Sequence, residues 1–220
     1  MLIEIFSDVV CPWCYIGKRR LDMVMNSAAG EGVELAWRPY QLYPDLPAGG
    51  ILREDLLRAR HPGGDIDELK HKIPGRIRAE AEDVGLSFDF GAMEVMANTR
   101  PAHRLLSFIG TLSSELQHQL AEVLFRYNFC EGRNVGDLEV LVSAASELNL
   151  EAVSLESEAV RDYLCSDQGV DELVSDLDRA VDLGVSGVPC FLLGGSFQLP
   201  GAQTPEVIGQ FVQRAKERLG

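Results

Sequence analysis

Two cysteines stand two residues apart near the start of the chain, in SDVVCPWCYIGKRRL (residues 7–21). Such a pair can be a dithiol redox centre, half of a zinc site, or two inert buried thiols. Redox work needs a thiolate, and Pro12 says where one would be favoured. Proline is tolerated in the first helical turn, where its missing N–H has no partner to lose. A helix opening at Pro12 makes Cys11 its N-cap and Cys14 its third residue. The Cys11 sulfur then lies within reach of the Trp13 and Cys14 N–H groups and the positive end of the helix dipole, which favours its thiolate. Cys14 falls on the stripe Cys14, Gly17, Leu21, Val24, predicted to face a sheet with Gly17 allowing close approach. That makes Cys11 the predicted nucleophile and Cys14 the buried resolving thiol. Asp8, three residues before Cys11, is either the group that takes the Cys14 proton or a solvated loop carboxylate.

A zinc site usually needs four ligands, often from two close-spaced pairs. Cys130, Cys165, Cys190 and the four histidines, at 61, 71, 103 and 118, form no second pair with that spacing, so no metal is expected. A Cys-x-x-Cys that opens the helix of a βαβ unit is a redox signature. Cys190 reads as a small buried thiol. Cys130 and Cys165 fall on separate helical stretches, and no second disulfide is expected from them.

The elements that must position the pair follow from the apolar pattern. LIEIF (2–6) and VELAWRPY (33–40) are strand-like and flank a helical stretch from Pro12 to about Ala28, the pattern of a parallel βαβ unit. YPDLPAGG (43–50) breaks that pattern. From 51 to 165 nearly everything reads as helix, with Ser114 and Gln117 as a capping box, Asp137 as an N-cap, and the whole as a bundle acting as a lid. A further helix, VDELVSDLDRAVDLG, leads to VPCFLL and SFQL, joined at Gly194-Gly195 by a hairpin with positive φ at both turn positions. Thr204 and Pro205 open a last helix with Val207, Ile208, Phe211, Val212 and Ala215 on its apolar face. The order is β-α-β, helical insert, α-β-β-α. It divides the chain into a discontinuous unit, 1–46 with 166–220, and an inserted helical domain, 47–165.

Composition removes other classes. The 220 residues, 46% hydrophobic and 25% charged, suffice for a sizeable core. A formal net charge of -14 and a pI near 4.7 disfavour nucleic acid and anionic membranes, and the basic GKRR at 17–20 is too short to reverse this. No apolar run reaches the ~18 residues of a membrane span, and the N-terminus lacks a secretory pattern. The expected location is the cytoplasm, where thiols are kept reduced.

The opening stretch resembles the DsbA-like branch of the thioredoxin superfamily. The similarity continues in NTRPAHRLL (98–106), LFRYNFCEGRNVGD (124–137), GVSGVPCFLL (184–193) and GAQTPEV (201–207), segments similar to FrnE-type dithiol oxidoreductases or isomerases. The resemblance implies an α/β, thioredoxin-like fold with a large α-helical insertion, and a cis-proline at Pro189 facing the cysteines. Pro12, Trp13, Val188, Pro189 and His103 are then candidates for substrate contact. Arg100, His103 and Arg104 share a helical face that either lines the cleft or forms a surface cluster. Trp13 stands where relatives have other residues, and without an imidazole between the cysteines one cation that would lower the Cys11 pKa is missing.

The implied activity is thiol-disulfide exchange on protein or low-molecular-weight thiols and disulfides, with no cofactor beyond the Cys11–Cys14 pair and with glutathione a candidate co-substrate. A homodimer is compatible with it. Two alternatives stay open: a glutathione-dependent isomerase or transferase of the 2-hydroxychromene-2-carboxylate isomerase or kappa type, and a non-catalytic holdase.

Overall fold

The computed structural model describes residues 1–219. Strand β1 (Leu2–Ser7) leads to helix α1 (Pro12–Met25) and strand β2 (Glu34–Pro39). Next come β3 (Ile51–Leu52), α2 (Arg53–Arg60), α3 (Ile66–His71), α4 (Gly75–Asp83) and β4 (Val95–Met96). Helices α5 (Arg100–Leu112), α6 (Ser114–Phe129), α7 (Leu138–Ser146), α8 (Ser157–Cys165) and α9 (Val170–Asp182) precede β5 (Cys190–Leu193), β6 (Phe197–Pro200) and α10 (Pro205–Leu219).

The main sheet runs β2-β1-β5-β6, with β1 parallel to β2 and antiparallel to β5. The β5–β6 hairpin turns through Gly194 and Gly195, whose φ values of 56° and 72° match the Gly-Gly expectation. Alternation along β1 divides its side chains between two faces. Ile3 and Ile5 share one core with Cys14 and Leu21 of α1. Phe6 packs on the other side with Ala180 of α9, Val185, Cys190 and Leu192. Each Ile, Leu, Val or Phe among these, fully buried, contributes about 1.5–3 kcal/mol. Glu4 is buried too, and its carboxylate is gripped by Arg38 at 2.8 Å and Arg179 at 2.7 Å.

Three expectations change. The segment from 51 to 165 is not all helix, because β3 pairs with β4 as a short antiparallel ladder and most of the chain from 84 to 99 is irregular. The expected lid is instead a packed wall: Leu105, Ile109, Leu120, Leu124 and Phe125 belong to the same continuous core as Ile5 and Cys14. The capping box at Ser114 and Gln117 does not form, and the N-cap lies one residue earlier. Ser113 caps α6 by accepting from the Leu116 N–H at 3.2 Å, while Gln117 bonds the Trp37 backbone at both N–H and C=O and the Leu106 carbonyl. A buried amide that satisfies three backbone groups of β2 and α5 outweighs what it would gain by reaching back to a helix end.

The other caps stand as read. Asp137 accepts from the Glu139 and Val140 N–H groups, and Thr204 Oγ1 from Val207. On α10, Ile208, Val212 and Ala215 are buried, but Val207 is exposed.

Candidate active site

Strand β1 ends at Ser7, a turn closes with the Cys11 N–H on the Asp8 carbonyl at 3.0 Å, and α1 begins at once. Pro12 takes the first helical position and Cys11 is the N-cap, in extended backbone. The Cys11 side chain makes no strict capping hydrogen bond. Its sulfur is nonetheless held below the ordinary thiol pKa, first by a hydrogen bond from the Cys14 thiol, which outweighs burial, with help from the Cys14 and Trp13 N–H groups; the Asp8 charge opposes them. Cys14 moves the other way. Burial, and then its bond to Cys11, push its thiol well above the ordinary value. One helical turn thus separates a sulfur that ionises readily from one that does not.

Val188 and Pro189 complete the surroundings, joined by a cis peptide as the resemblance implied. The Cys11 thiol donates to the Val188 carbonyl at 3.7 Å, across 177 residues of sequence. Gly17 explains how Pro189 comes so near α1: a Cβ there would lie 3.0 Å from the proline Cγ. Pro12 and Trp13 are half-buried at the rim, while Cys11 is only 4% exposed.

Asp8 is not the solvated loop carboxylate that the sequence left open. It is 0% exposed, enclosed between the end of β1, residues 40–42 and α5. Its Oδ2 accepts from the Leu42 N–H at 2.8 Å. Its Oδ1 makes no hydrogen bond and lies 3.5 Å from His103 Nε2. His103 is buried as well, with Nε2 3.0 Å from the Tyr40 carbonyl. Burial removes the helix-surface reading of His103 and sets it against Asp8. Arg104 points elsewhere and holds the carbonyl of Tyr163 near the end of α8 and those of Ser166 and Gln168 in the turn to α9. The physical reason is helical geometry: neighbouring residues diverge by about 100°, so 103 and 104 meet different partners.

Sequence reasoning missed two residues. The buried Ser7 Oγ has no oxygen or nitrogen partner and favours the Cys14 thiolate; its place at the end of β1, next to Asp8, was the available signal. Arg76, on α4, has its guanidinium 5.2 Å from the Trp13 ring centroid. Its signal was the basic run at 70–78, which escaped notice in a strongly acidic chain.

The other thiols take no part in this arrangement. Cys190 is buried, Cys130 half-buried and Cys165 exposed, and all five cysteines are free. Among the described residues, no three His, Cys, Asp or Glu side chains are grouped as a metal site, and no helix is long and apolar enough to cross a membrane. A cavity of about 780 Å³ lies away from the cysteines along α1 and α6, lined by Lys18, Asp22, His118 and Glu122 among others.

Comparison with known proteins agrees with this geometry. Residues 2–213 match the DSBA-like thioredoxin domain. A crystal structure described as a probable DsbA oxidoreductase, SCO1869 from Streptomyces coelicolor, is 29% identical and superposes with a TM-score of 0.80, covering 99% of this chain and 90% of its own. The cytosolic disulfide reductase DsbM from Pseudomonas aeruginosa shares the fold at 18% identity and a TM-score of 0.64, covering 100% and 98%. The uncharacterized protein YwbO of Bacillus subtilis (strain 168) is 23% identical over 98% of both chains. The chain belongs to the DSBA-like thioredoxin domain family, with the α/β thioredoxin-like fold and helical insertion of its thiol-disulfide oxidoreductases.

Proposed function

We propose that this protein is a dithiol-disulfide oxidoreductase working through the Cys-Pro-Trp-Cys centre. The observation that carries the reading is the opposed displacement of two sulfurs one turn apart, Cys11 towards thiolate and Cys14 towards thiol, beside the Val188 carbonyl. In the reducing direction the Cys11 thiolate attacks a substrate disulfide, forms a mixed disulfide and expels one substrate thiolate. Cys14 gives up its proton, attacks Cys11 Sγ and expels the second. The substrate gains two electrons and two protons as the pair becomes a disulfide.

Each neighbour has a role in this scheme. Asp8, with Oδ1 unpartnered, takes the Cys14 proton; Ser7 stabilises the thiolate that results. His103, with Nε2 on the Tyr40 carbonyl and 3.5 Å from Asp8 Oδ1, walls in that carboxylate and is a positioning residue rather than a substrate contact. Val188 offers its backbone to an extended substrate segment, and Pro12, Trp13 and Pro189 form the rim. A protein or a small thiol or disulfide serves as substrate, and a small thiol such as glutathione recycles the pair.

The reduction potential of Cys11–Cys14 in a glutathione series decides the direction. A value near about -270 mV assigns a reductant and one near about -120 mV an oxidant. Cys11→Ser removes exchange if the reading is right. A Cys14→Ser protein that keeps full multiple turnover overturns it in favour of single-thiol chemistry.

A further inference from the structure

The placement of one arginine extends the dithiol reading and rests on it. The chain has 34 acidic and 20 basic residues, yet KHKIPGRIR, residues 70–78, contains no carboxylate. Lys70 is engaged by Glu54 at 2.8 Å. Among the described residues, Lys72, Arg76 and Arg78 make no ion pair, and only Arg76 reaches the dipeptide between the cysteines.

Its position is built by helix pairing. Arg76, Glu80 and Asp83 recur at four- and three-residue spacing and share one face of α4. That face runs parallel to α1: Arg76 meets Trp13 at the N-terminal end, and Glu80 and Asp83 meet Arg20 seven residues further on. Arg20 is buried and also donates to the Ala202 carbonyl at 2.7 Å, which pins the far end. The two carboxylates neutralise the cation there. Among the described residues, no carboxylate pairs with Arg76. A guanidinium lying over an aromatic face keeps its N–H donors directed outward in its own plane, where a carboxylate can accept them in pairs.

We infer that Arg76 is a specificity-determining residue that favours peptide disulfides carrying a carboxylate next to the reacting cysteine. A substrate sulfur bonded to Cys11 brings its neighbouring residue to the Trp13 edge, within reach of the guanidinium. The inference also meets an electrostatic need. A protein of net charge -14 repels acidic partners at long range, and an open cation beside the nucleophile reverses that locally.

The test is a comparison of kcat and KM for three peptide disulfides identical except for glutamate, glutamine or lysine beside the cysteine, with glutathione disulfide as a fourth probe. In the wild type the glutamate peptide has the lowest KM. In Arg76→Gln the glutamate-to-glutamine preference in kcat/KM falls about three- to fivefold through KM, the size of a partly exposed ion pair. Arg76→Lys restores part of it, and Arg76→Glu reverses it towards lysine. The preference shrinks with added salt. Arg214→Gln, the same charge change on exposed α10, leaves the preference unaltered. If Arg76→Gln also weakens glutathione disulfide, the same contact serves small carboxylate-bearing disulfides; if only the peptide is affected, it is confined to peptides. Turnover with a preference that Arg76→Gln does not change overturns the inference and leaves the dithiol reading standing. A wild type that turns over none of the four probes removes both.

Discussion

Helix α1 carries two clusters of ionisable side chains, one at its N-terminal tip and one along the face it turns to α6. The second is densely paired, with Glu122 Oε2 held by the Lys18 ion pair alone. Lys18 lies 2.9 Å from both Asp22 and Glu122, Tyr15 donates to Glu122 at 2.7 Å, and His118 Nε2 lies 2.7 Å from Asp22. The Trp37 indole donates to His118 Nδ1 at 3.1 Å, which places a histidine proton on Nε2, facing Asp22. The tip is nearly closed to solvent but chemically unfinished: Cys11 leans towards thiolate, Asp8 Oδ1 accepts no hydrogen bond, Ser7 Oγ has no oxygen or nitrogen partner, and Cys14 is held as a thiol. A paired network fastens α1 to α6. Unmet polar capacity beside a nucleophile, rather than the size of a cavity, marks the reactive end.

The largest test of that contrast is nucleophile removal. Cys11→Ser should lower exchange at least about a thousandfold, whereas Cys14→Ser should capture substrate as a mixed disulfide visible by mass spectrometry. Equal losses without trapping would make the two sulfurs equivalent. Next in size, Asp8→Asn should slow release of that mixed disulfide by roughly a hundredfold, the usual scale for a lost proton acceptor, while sparing the first attack. Stopped-flow separation of the two steps reads this directly; an effect confined to the first step would refute the assigned role.

Alkylation gives a smaller but cleaner comparison. At neutral pH iodoacetamide should modify Cys11 at least about ten times faster than Cys14, because only the thiolate reacts. The Cys11 rate should fall as pH drops through its lowered pKa, and peptide mapping across a pH series would show a flat profile if the tip did not favour the thiolate.

The paired cluster should answer in stability alone. His118→Gln should cost about 1–2 kcal/mol by denaturant unfolding and leave exchange unchanged. Burial raises the Asp22 carboxyl, but His118 and Lys18 together hold it below the ordinary value. Its stabilisation is therefore complete above the unfolded-state value of about 3.9 and is lost as pH falls through the folded one. Asp22→Asn should flatten the acid limb of the stability curve. Any loss of exchange in these variants would dissolve the distinction between the two ends of α1.

Local signals were legible where a residue's type limits its own backbone. Pro12 marked the start of α1, Gly194-Gly195 marked the hairpin, and Asp137 and Thr204 marked helix starts, because each acts within a few residues of itself. The adjacent serines at 113 and 114 were indistinguishable on that basis. The choice between them depended on Gln117 being drawn to Trp37, eighty residues away. Asp8 stayed open between proton acceptor and loop carboxylate for the same reason: only residues 40–42 and α5 enclose it. Arg76 was readable as charge but not as a neighbour of Trp13, since no local pattern records which helix lies beside which.

The sequence by itself determined the order of the sheet-forming elements on either side of the insert, the helix that opens on Pro12, and the identity of the two sulfurs on its first turn, all consequences of short-range sterics and hydrogen bonding. The tertiary structure alone decided that Val188 meets Cys11, that Asp8 and His103 are buried together, and that Arg76 covers Trp13. Those contacts join segments far apart in the chain, and they exist because one continuous core brings the sheet and the inserted helices to fixed positions.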